Sequence, residues 1–184
     1  MIPNFERDSQ EGQLCSMERY ALYSLVNNEA PDVVFEVGTW KGGGSTYFIS
    51  SALHENKHGI LHTCEINKEF YDHATNLYDN ELKELKPYVC FHFGDSLEVY
   101  PDILKKAGMI DILFLDGKED SDQTVREYCM FLPYMRNGAY MVCHDWKEYK
   151  MAELRKVLIA DEHWKLITMM EDTTTGFSIW QREI

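Results

Sequence analysis

The chain has 184 residues, enough for one domain with a sizeable core, and its 18 basic and 31 acidic residues give a formal net charge of −13. Because a surface this acidic repels phosphate backbones, nucleic acid is not an expected partner. No apolar run approaches the roughly 18 residues of a membrane span. Residues 1–8 lack the basic start and apolar core of a signal peptide, so we expect a cytoplasmic protein with no membrane partner.

Apolar spacing predicts a helix over residues 13–27, followed by five units in which a buried strand leads into a helix. The predicted strands are residues 33–35, 60–64, 88–93, 112–115 and 139–143. The predicted helices after them are residues 44–54, 67–82, 95–107, 121–135 and 149–160. Two last strands, 164–169 and 176–180, are separated by a polar turn over 171–175.

Near-continuous apolar runs of this length are typical of parallel strands that are buried on both faces. Five strand–helix units and a terminal hairpin therefore predict a three-layer α/β/α sandwich with a mostly parallel seven-stranded sheet. The hairpin strand should pair antiparallel at one edge. We expect Pro133 to kink or end a helix and Asn137-Gly138 to form a turn into the fifth strand.

Acidic residues stand where the five strands end, and the carboxyl ends of such strands line the ligand crevice of an open α/β sheet. These acids are Glu36, Glu65, Asp95, Asp116 and Asp145. A row of carboxylates on one edge suits a ligand with hydroxyls, an amine or a positive charge. Structural roles are the alternative: Glu36 could cap the loop, Glu65 could be solvated, and Asp95 could only cap a helix.

A glycine-rich turn, Gly38 to Ser45, follows the first strand directly. Such turns place backbone N–H groups and a helix N-terminus against an anionic group of a ligand. A dinucleotide site requires G-x-G-x-x-G, but Trp40 replaces the second glycine, and no Gly-Lys-Ser/Thr of a Walker loop follows. Glu36 would repel a polyphosphate, although it could accept a hydrogen bond from an ammonium.

The run from Glu36 to Ser45, with the later acids in order, resembles the motifs of class I S-adenosylmethionine-dependent methyltransferases. Within that class it is similar to methyltransferase domain 24 and to the catechol O-methyltransferase-like small-molecule O-methyltransferases. The resemblance covers residues 31–180. It implies one Rossmann-like methyltransferase domain over residues 1–184, with an N-terminal helix in 1–30 and a cofactor-binding core in 31–184. It also implies S-adenosyl-L-methionine as cofactor and the hydroxyl of a small metabolite as methyl acceptor.

The resemblance also implies a role for each motif. Glu36 and the glycine loop would hold the methionyl amine and carboxylate, and Glu65 would accept both ribose hydroxyls. Asp95 with Ser96 would lie beside the adenine, and Asp116 would lie near the sulfonium and the acceptor. The implied cofactor-binding residues are Glu36, Gly38, Thr39, Trp40, Gly43, Ser45, Glu65, Ile66, Asp95, Ser96 and Asp116.

Asp116, His144 and Asp145 are the candidate catalytic residues. In related O-methyltransferases a divalent cation lowers the pKa of the acceptor hydroxyl, and its ligands come from the ends of strands four and five. The same three residues hold those positions here, so Mg²⁺ or Mn²⁺ is a candidate cofactor. His144 could instead be the general base or a core histidine with satisfied hydrogen bonds. Glu119 stands where many domain-24 relatives have a histidine.

Two other functional classes remain open at this stage. A nucleotide-cofactor (NAD-type) oxidoreductase would share the sheet, although Trp40 and the position of Glu65 argue against it. A catalytically inactive cofactor-binding module of the same fold is the second. The short chain has few insertions to bind the acceptor, so we expect an open site or one completed by a partner subunit in a homo-oligomer.

Overall fold

The structure is a computed structural model that describes Pro3, Phe5 and residues 14–184. The helices are α1 (Ser16–Glu29), α2 (Ser45–Asn56), α3 (Lys68–Asn80), α4 (Ser96–Ala107), α5 (Ser121–Phe131) and α6 (Ala152–Ala160). The strands are β1 (Val33–Val37), β2 (Ile60–Glu65), β3 (Val89–Phe93), β4 (Ile110–Leu115), β5 (Met135–His144), β6 (Trp164–Met170) and β7 (Phe177–Arg182). Each predicted strand and helix is present, and residue 13, the predicted start of the first helix, lies outside the described residues. None of the helices in the described part of the chain has the length and hydropathy of a membrane span.

The seven strands form one sheet in the order β3-β2-β1-β4-β5-β7-β6. Strands β1 to β5 pair in parallel, whereas β7 pairs antiparallel with both β5 and β6. The sheet thus confirms the predicted mixed edge. Since the chain runs outward from β1 in both directions, the carboxyl ends of β1 and β4 lie side by side at the point where the strand order reverses, which is where such folds bind ligands.

Helices cover both faces of the sheet. Leu22, Phe48 and Tyr78, from α1, α2 and α3, are fully buried against one face. Tyr100, Phe131 and Leu154, from α4, α5 and α6, are fully buried against the other. This arrangement is the predicted three-layer sandwich, and burial on both sides explains why the central strands are apolar at nearly every position.

Polar side chains cap the N-termini of three helices at the carboxyl edge of the sheet. Asn67 accepts hydrogen bonds from the N–H groups of the first turn of α3. Asp95 caps α4 in the same way, and Asp120 caps α5. Because each cap fixes where a strand-end loop turns into its helix, these residues also fix the wall of the crevice.

The turn predicted at Asn137-Gly138 is wrong, because both residues lie within β5. Ile110 of β4 pairs with Met135 and Ile112 pairs with Tyr140, so β5 carries extra residues opposite this stretch of β4. Gly138 has a φ of +81° and permits the resulting bulge. Pairing resumes beyond it, so the glycine bends a strand where a turn was expected. Helix α5 ends before Pro133, as expected.

Candidate active site

A cavity of about 440 Å³ lies at the carboxyl edge of the parallel strands. Most of the residues predicted to bind the cofactor line it, namely Gly38, Thr39, Trp40, Ser45, Glu65, Ile66, Asp95, Ser96 and Asp116, and Asp145 lines it as well. Three predicted residues do not line it: Glu36, Gly43 and His144. The predicted strand-end residues thus share one cavity, whereas Glu36 and His144 lie behind its wall.

The glycine loop is held against two strands. The N–H groups of Gly38 and Thr39 donate to the Cys64 carbonyl oxygen at 3.2 and 3.0 Å. Gly38 has a φ of +97°, and a Cβ there would lie 2.3 Å from the carbonyl oxygen of Asp116. Only glycine fits this position, because the loop and the end of β4 touch through their backbones. The backbone of Trp40 is also in the left-handed region, with a φ of +49°, which is uncommon for a bulky residue.

Glu65, the last residue of β2, joins the glycine loop to the start of α3. Its Oε2 accepts from the Trp40 N–H at 2.7 Å, and its Oε1 accepts from the Asn67 N–H at 2.8 Å. A carboxylate oxygen has room for a second donor. Glu65 also lines the cavity, where its carboxylate can accept a further hydrogen bond.

The far wall of the cavity contains an acid that the sequence analysis missed. Glu127 of α5 is buried, and its Oε1 accepts from Ser96 Oγ at 2.5 Å and from Gln123 Nε2 at 3.1 Å. Burial raises the pKa of Glu127, although these hydrogen bonds partly offset the rise.

Asp95 also lies on the cavity wall. It uses one oxygen to cap α4 through the Leu97 N–H at 2.9 Å. Its structural role as a cap and its place on the cavity wall are therefore compatible.

Glu36 lies behind the glycine loop. It is fully buried, and its Oε2 accepts from Thr46 Oγ1 at 2.7 Å and from Thr63 Oγ1 at 2.6 Å. Its Oε1 has no hydrogen-bond partner among the described residues. Burial raises the pKa of this carboxyl to about 7, although the hydroxyls of Ser45, Thr63 and Thr46 oppose the rise. The side chain thus supports the loop from beneath and does not reach the cavity directly.

Glu36→Gln is expected to stabilise the protein at pH 8 by roughly 1–3 kcal/mol and to change little at pH 5. The folded pKa of about 7 lies above the ordinary value of 4.5, so the folded state holds more protons between these values and loses stability as pH rises through them. A neutral glutamine removes that cost. Urea unfolding at both pH values measures it, with the exposed Glu98→Gln as control. An equal effect at pH 5 and pH 8 would contradict the raised pKa.

Asp116 and Asp145 share a buried lysine. The Nζ of Lys150 lies 2.8 Å from Asp116 Oδ1 and 2.5 Å from Asp145 Oδ2, and the Lys150 side chain is only 2% exposed. Lys150 lies in a 3-10 turn, Tyr149–Met151, that precedes α6 and returns the chain over the end of β5. Burial alone lowers the pKa of Lys150, but the two carboxylates outweigh burial and raise it. The lysine is an ammonium at neutral pH.

His144 lies behind the same pair of acids. Its Nδ1 is 3.2 Å from Asp116 Oδ2 and 3.3 Å from Asp145 Oδ1, and its Nε2 is 3.6 Å from Glu18 Oε2 of α1. None of these contacts has hydrogen-bond geometry. Burial lowers the pKa of His144, but the three carboxylates outweigh burial and raise it to about 10. The ring is therefore an imidazolium at neutral pH, and it reaches the cavity only through the two aspartates.

This cluster carries an excess of negative charge. Glu18, Asp116 and Asp145 are each acidic, while His144 and Lys150 are the cations among them. These three acids therefore exceed the two cations by one negative charge, and Glu119, 3.2 Å from Lys150 Nζ, adds another. A cation that entered the cavity beside Asp116 would offset part of this excess, and a sulfonium is such a cation.

The predicted metal ligands do cluster, since Asp116, His144 and Asp145 each offer a ligand atom within 4.8 Å of the others. All four aspartate oxygens nevertheless face a nitrogen of Lys150 or His144. A divalent cation would have to displace the Lys150 ammonium, and His144 would have to lose a proton to become a ligand. The residues as arranged do not fit a resident metal ion.

Comparison with known proteins assigns the family. The family described as Methyltransferase domain, Methyltransf_24, matches residues 35–146, and the chain belongs to it. A curated relative, the uncharacterized protein R132 of Acanthamoeba polyphaga mimivirus, is 23% identical over a 150-residue alignment that covers 78% of this chain and 66% of that protein. The chain thus spans about two thirds of the relative's length.

Solved structures share the fold. A candidate O-methyltransferase from Klebsiella pneumoniae has a TM-score of 0.78 at 17% identity, over 95% of this chain and 84% of that one. The O-methyltransferase of Bacillus cereus in complex with SAH has a TM-score of 0.75 at 17% identity, with coverage of 95% and 84%. TomG, an O-methyltransferase from Streptomyces achromogenes in complex with SAM, has a TM-score of 0.75 at 17% identity, with coverage of 93% and 82%. The predicted Rossmann-like methyltransferase fold is confirmed.

Proposed function

We propose that this protein is an S-adenosylmethionine-dependent methyltransferase that transfers the methyl group to a hydroxyl of a small metabolite. One observation carries the proposal: a single cavity combines the glycine loop, the carboxylate of Glu65 and the acid-rich cluster around Asp116. Family membership and structural neighbours solved with SAM or SAH support it.

The cavity matches the three parts of the cofactor in order. The loop from Gly38 to Ser45 offers backbone N–H groups and the start of α2 to the methionyl carboxylate. Glu65 offers two oxygens to the ribose diol, and Asp95 offers its free oxygen to the adenine amine. The sulfonium then lies on the Asp116 side, where the cluster has an uncompensated negative charge.

The chemistry requires alignment and one proton acceptor. The acceptor oxygen attacks the methyl carbon, the bond from carbon to sulfur breaks, and its electron pair stays on sulfur, which becomes a neutral thioether. The acceptor hydroxyl gives its proton to the Asp116 carboxylate, which lines the cavity and passes the proton to solvent. The protein contributes mainly by holding the oxygen, the methyl group and the sulfur in line.

A ligand panel tests the proposal and its main rival. Saturating SAM or SAH at 100 times Kd is expected to stabilise the fold by about 2.7 kcal/mol and to raise the melting temperature, whereas NAD⁺ should have no effect. Formation of SAH from SAM is then measured across catechols, simple phenols and sugars. Stabilisation by NAD⁺ alone would favour an oxidoreductase, and SAM binding without turnover on any acceptor would favour an inactive module.

Glu65→Ala is expected to weaken SAH binding by about 1–3 kcal/mol, because two hydrogen bonds to a charged acceptor are lost. Glu65→Gln, which keeps one acceptor oxygen, should lose less. Isothermal titration calorimetry with SAH measures both variants, and the exposed Glu69→Ala on α3 is the control. Unchanged affinity of Glu65→Ala would remove Glu65 from the site.

A further inference from the structure

Lys150 lies between the acids at the ends of β4 and β5, the two carboxylates expected from the sequence to hold a metal ion. Its Nζ contacts one oxygen of Asp116 at 2.8 Å and one oxygen of Asp145 at 2.5 Å. The remaining oxygens of these two acids face His144 Nδ1. The ammonium thus makes the two carboxylate contacts that a bound cation would make, and the chain itself supplies the charge.

The third contact of the Lys150 ammonium is with Glu119, a partner that an incoming oxygen can replace. Lys150 Nζ lies 3.2 Å from Glu119 Oε1, and the Glu119 side chain is 72% exposed while Lys150 is 2% exposed. Glu119 and Lys150 both line the cavity. Because the Glu119 side chain is largely exposed, it stays hydrated when it leaves Lys150, so an incoming oxygen can take its place on the ammonium.

We propose that the Lys150 ammonium is the resident cation of the acceptor site, which holds Asp116 and Asp145 in place and donates its third N–H to the acceptor oxygen. A positive charge at that oxygen stabilises the developing alkoxide or phenoxide as the methyl group is transferred. The role as acceptor partner rests on the proposed function, whereas occupation of the cation site does not. The protein is then independent of divalent cations, and removal of the lysine creates a metal site.

Binding of Mn²⁺ alone tests this directly, without knowledge of the acceptor. Electron paramagnetic resonance counts the Mn²⁺ bound by the full chain at pH 7. Wild type is expected to show no stoichiometric uptake, whereas Lys150→Ala should bind one Mn²⁺ at least tenfold more tightly, because Asp116 and Asp145 are freed. Lys150→Gln, which keeps a polar side chain in the space, should also gain affinity if the alanine variant is poorly folded.

Two controls locate the effect. Lys156→Met removes an exposed lysine of α6 that pairs with Glu153, so its Mn²⁺ uptake should equal that of wild type. Asp116→Asn added to Lys150→Ala should abolish the gained site. Equal Mn²⁺ affinity of wild type and both Lys150 variants, whether tight or absent, would overturn the proposal. Calorimetry with SAH on the same samples reports the proposed function separately, since failure of SAH to bind wild type leaves the Mn²⁺ result intact.

Discussion

Asp116→Asn is expected to lower the turnover number for methyl transfer by roughly 10²–10⁴-fold, the usual contribution of a positioned general base. Asparagine keeps the size of the side chain and one acceptor oxygen, but it cannot take the acceptor proton. It also leaves Lys150 Nζ with one carboxylate fewer at close range. The affinity for SAH should change much less than turnover, because the ribose and adenine contacts lie elsewhere in the cavity.

SAH formation with the best acceptor from the panel measures the effect of Asp116→Asn. The matched control is Asp102→Asn, which alters an exposed acid of α4 that pairs with Lys105 and should leave turnover unchanged. Turnover of Asp116→Asn within threefold of wild type would remove Asp116 as the base. Glu119, which lines the same cavity, would then be the next acid to test.

Gly38→Ala is expected to destabilise the protein by about 2–4 kcal/mol and to abolish measurable SAH binding. The new Cβ would meet the Asp116 carbonyl oxygen at 2.3 Å in a backbone with a φ of +97°. Backbone cannot move aside as a flexible side chain can, so either the loop or the end of β4 must shift. Both form the wall of the cavity, and their displacement disrupts cofactor and acceptor positions together.

Gly108→Ala is a matched control for this substitution. Gly108 has a similar φ of +90°, but a Cβ there meets no atom within 4 Å. It reports the cost of the backbone conformation alone, roughly 1–3 kcal/mol, so the difference between the two variants isolates the clash. Urea unfolding measures stability, and calorimetry with SAH measures binding. Equal losses in the two variants would show that the contact between the loop and β4 is unimportant.

The fold was predictable because each central strand carries its own signal. Runs such as Ile112–Leu115 are buried on both faces, and each ends at a polar residue that starts a loop or caps a helix. Asn137-Gly138 was misjudged for a physical reason. The dipeptide favours positive φ at glycine in a bulge as well as in a turn, and only pairing with β4 on both sides distinguishes the two.

The cavity wall was predictable to the extent that it lies at strand ends. Glu65, Asp95 and Asp116 are placed by strand length and sheet direction alone, so position in the sequence gives position at the edge. Lys150, Glu18 and Glu127 come from helical segments, where a charged residue is typical of a solvated face. Their burial depends on how those segments pack over the sheet, which local sequence does not encode.

The environment of His144 also depends on how the helices pack over the sheet. Its place at the end of β5 suggested a ligand or a base. In the structure α1 brings Glu18 to its Nε2, while Asp116 and Asp145 lie against its Nδ1. Three carboxylates around a buried ring favour the imidazolium at neutral pH. We therefore propose that His144 positions the two aspartates.

A crystal structure of the protein with SAH tests the central claim most directly. We expect the ribose hydroxyls on the Glu65 carboxylate, the adenine beside Asp95 and Ser96, and the sulfur facing Asp116, with Lys150 Nζ still between Asp116 and Asp145. Density for SAH at any other surface, or a cavity that stays empty of SAH at saturating concentration, would contradict the account.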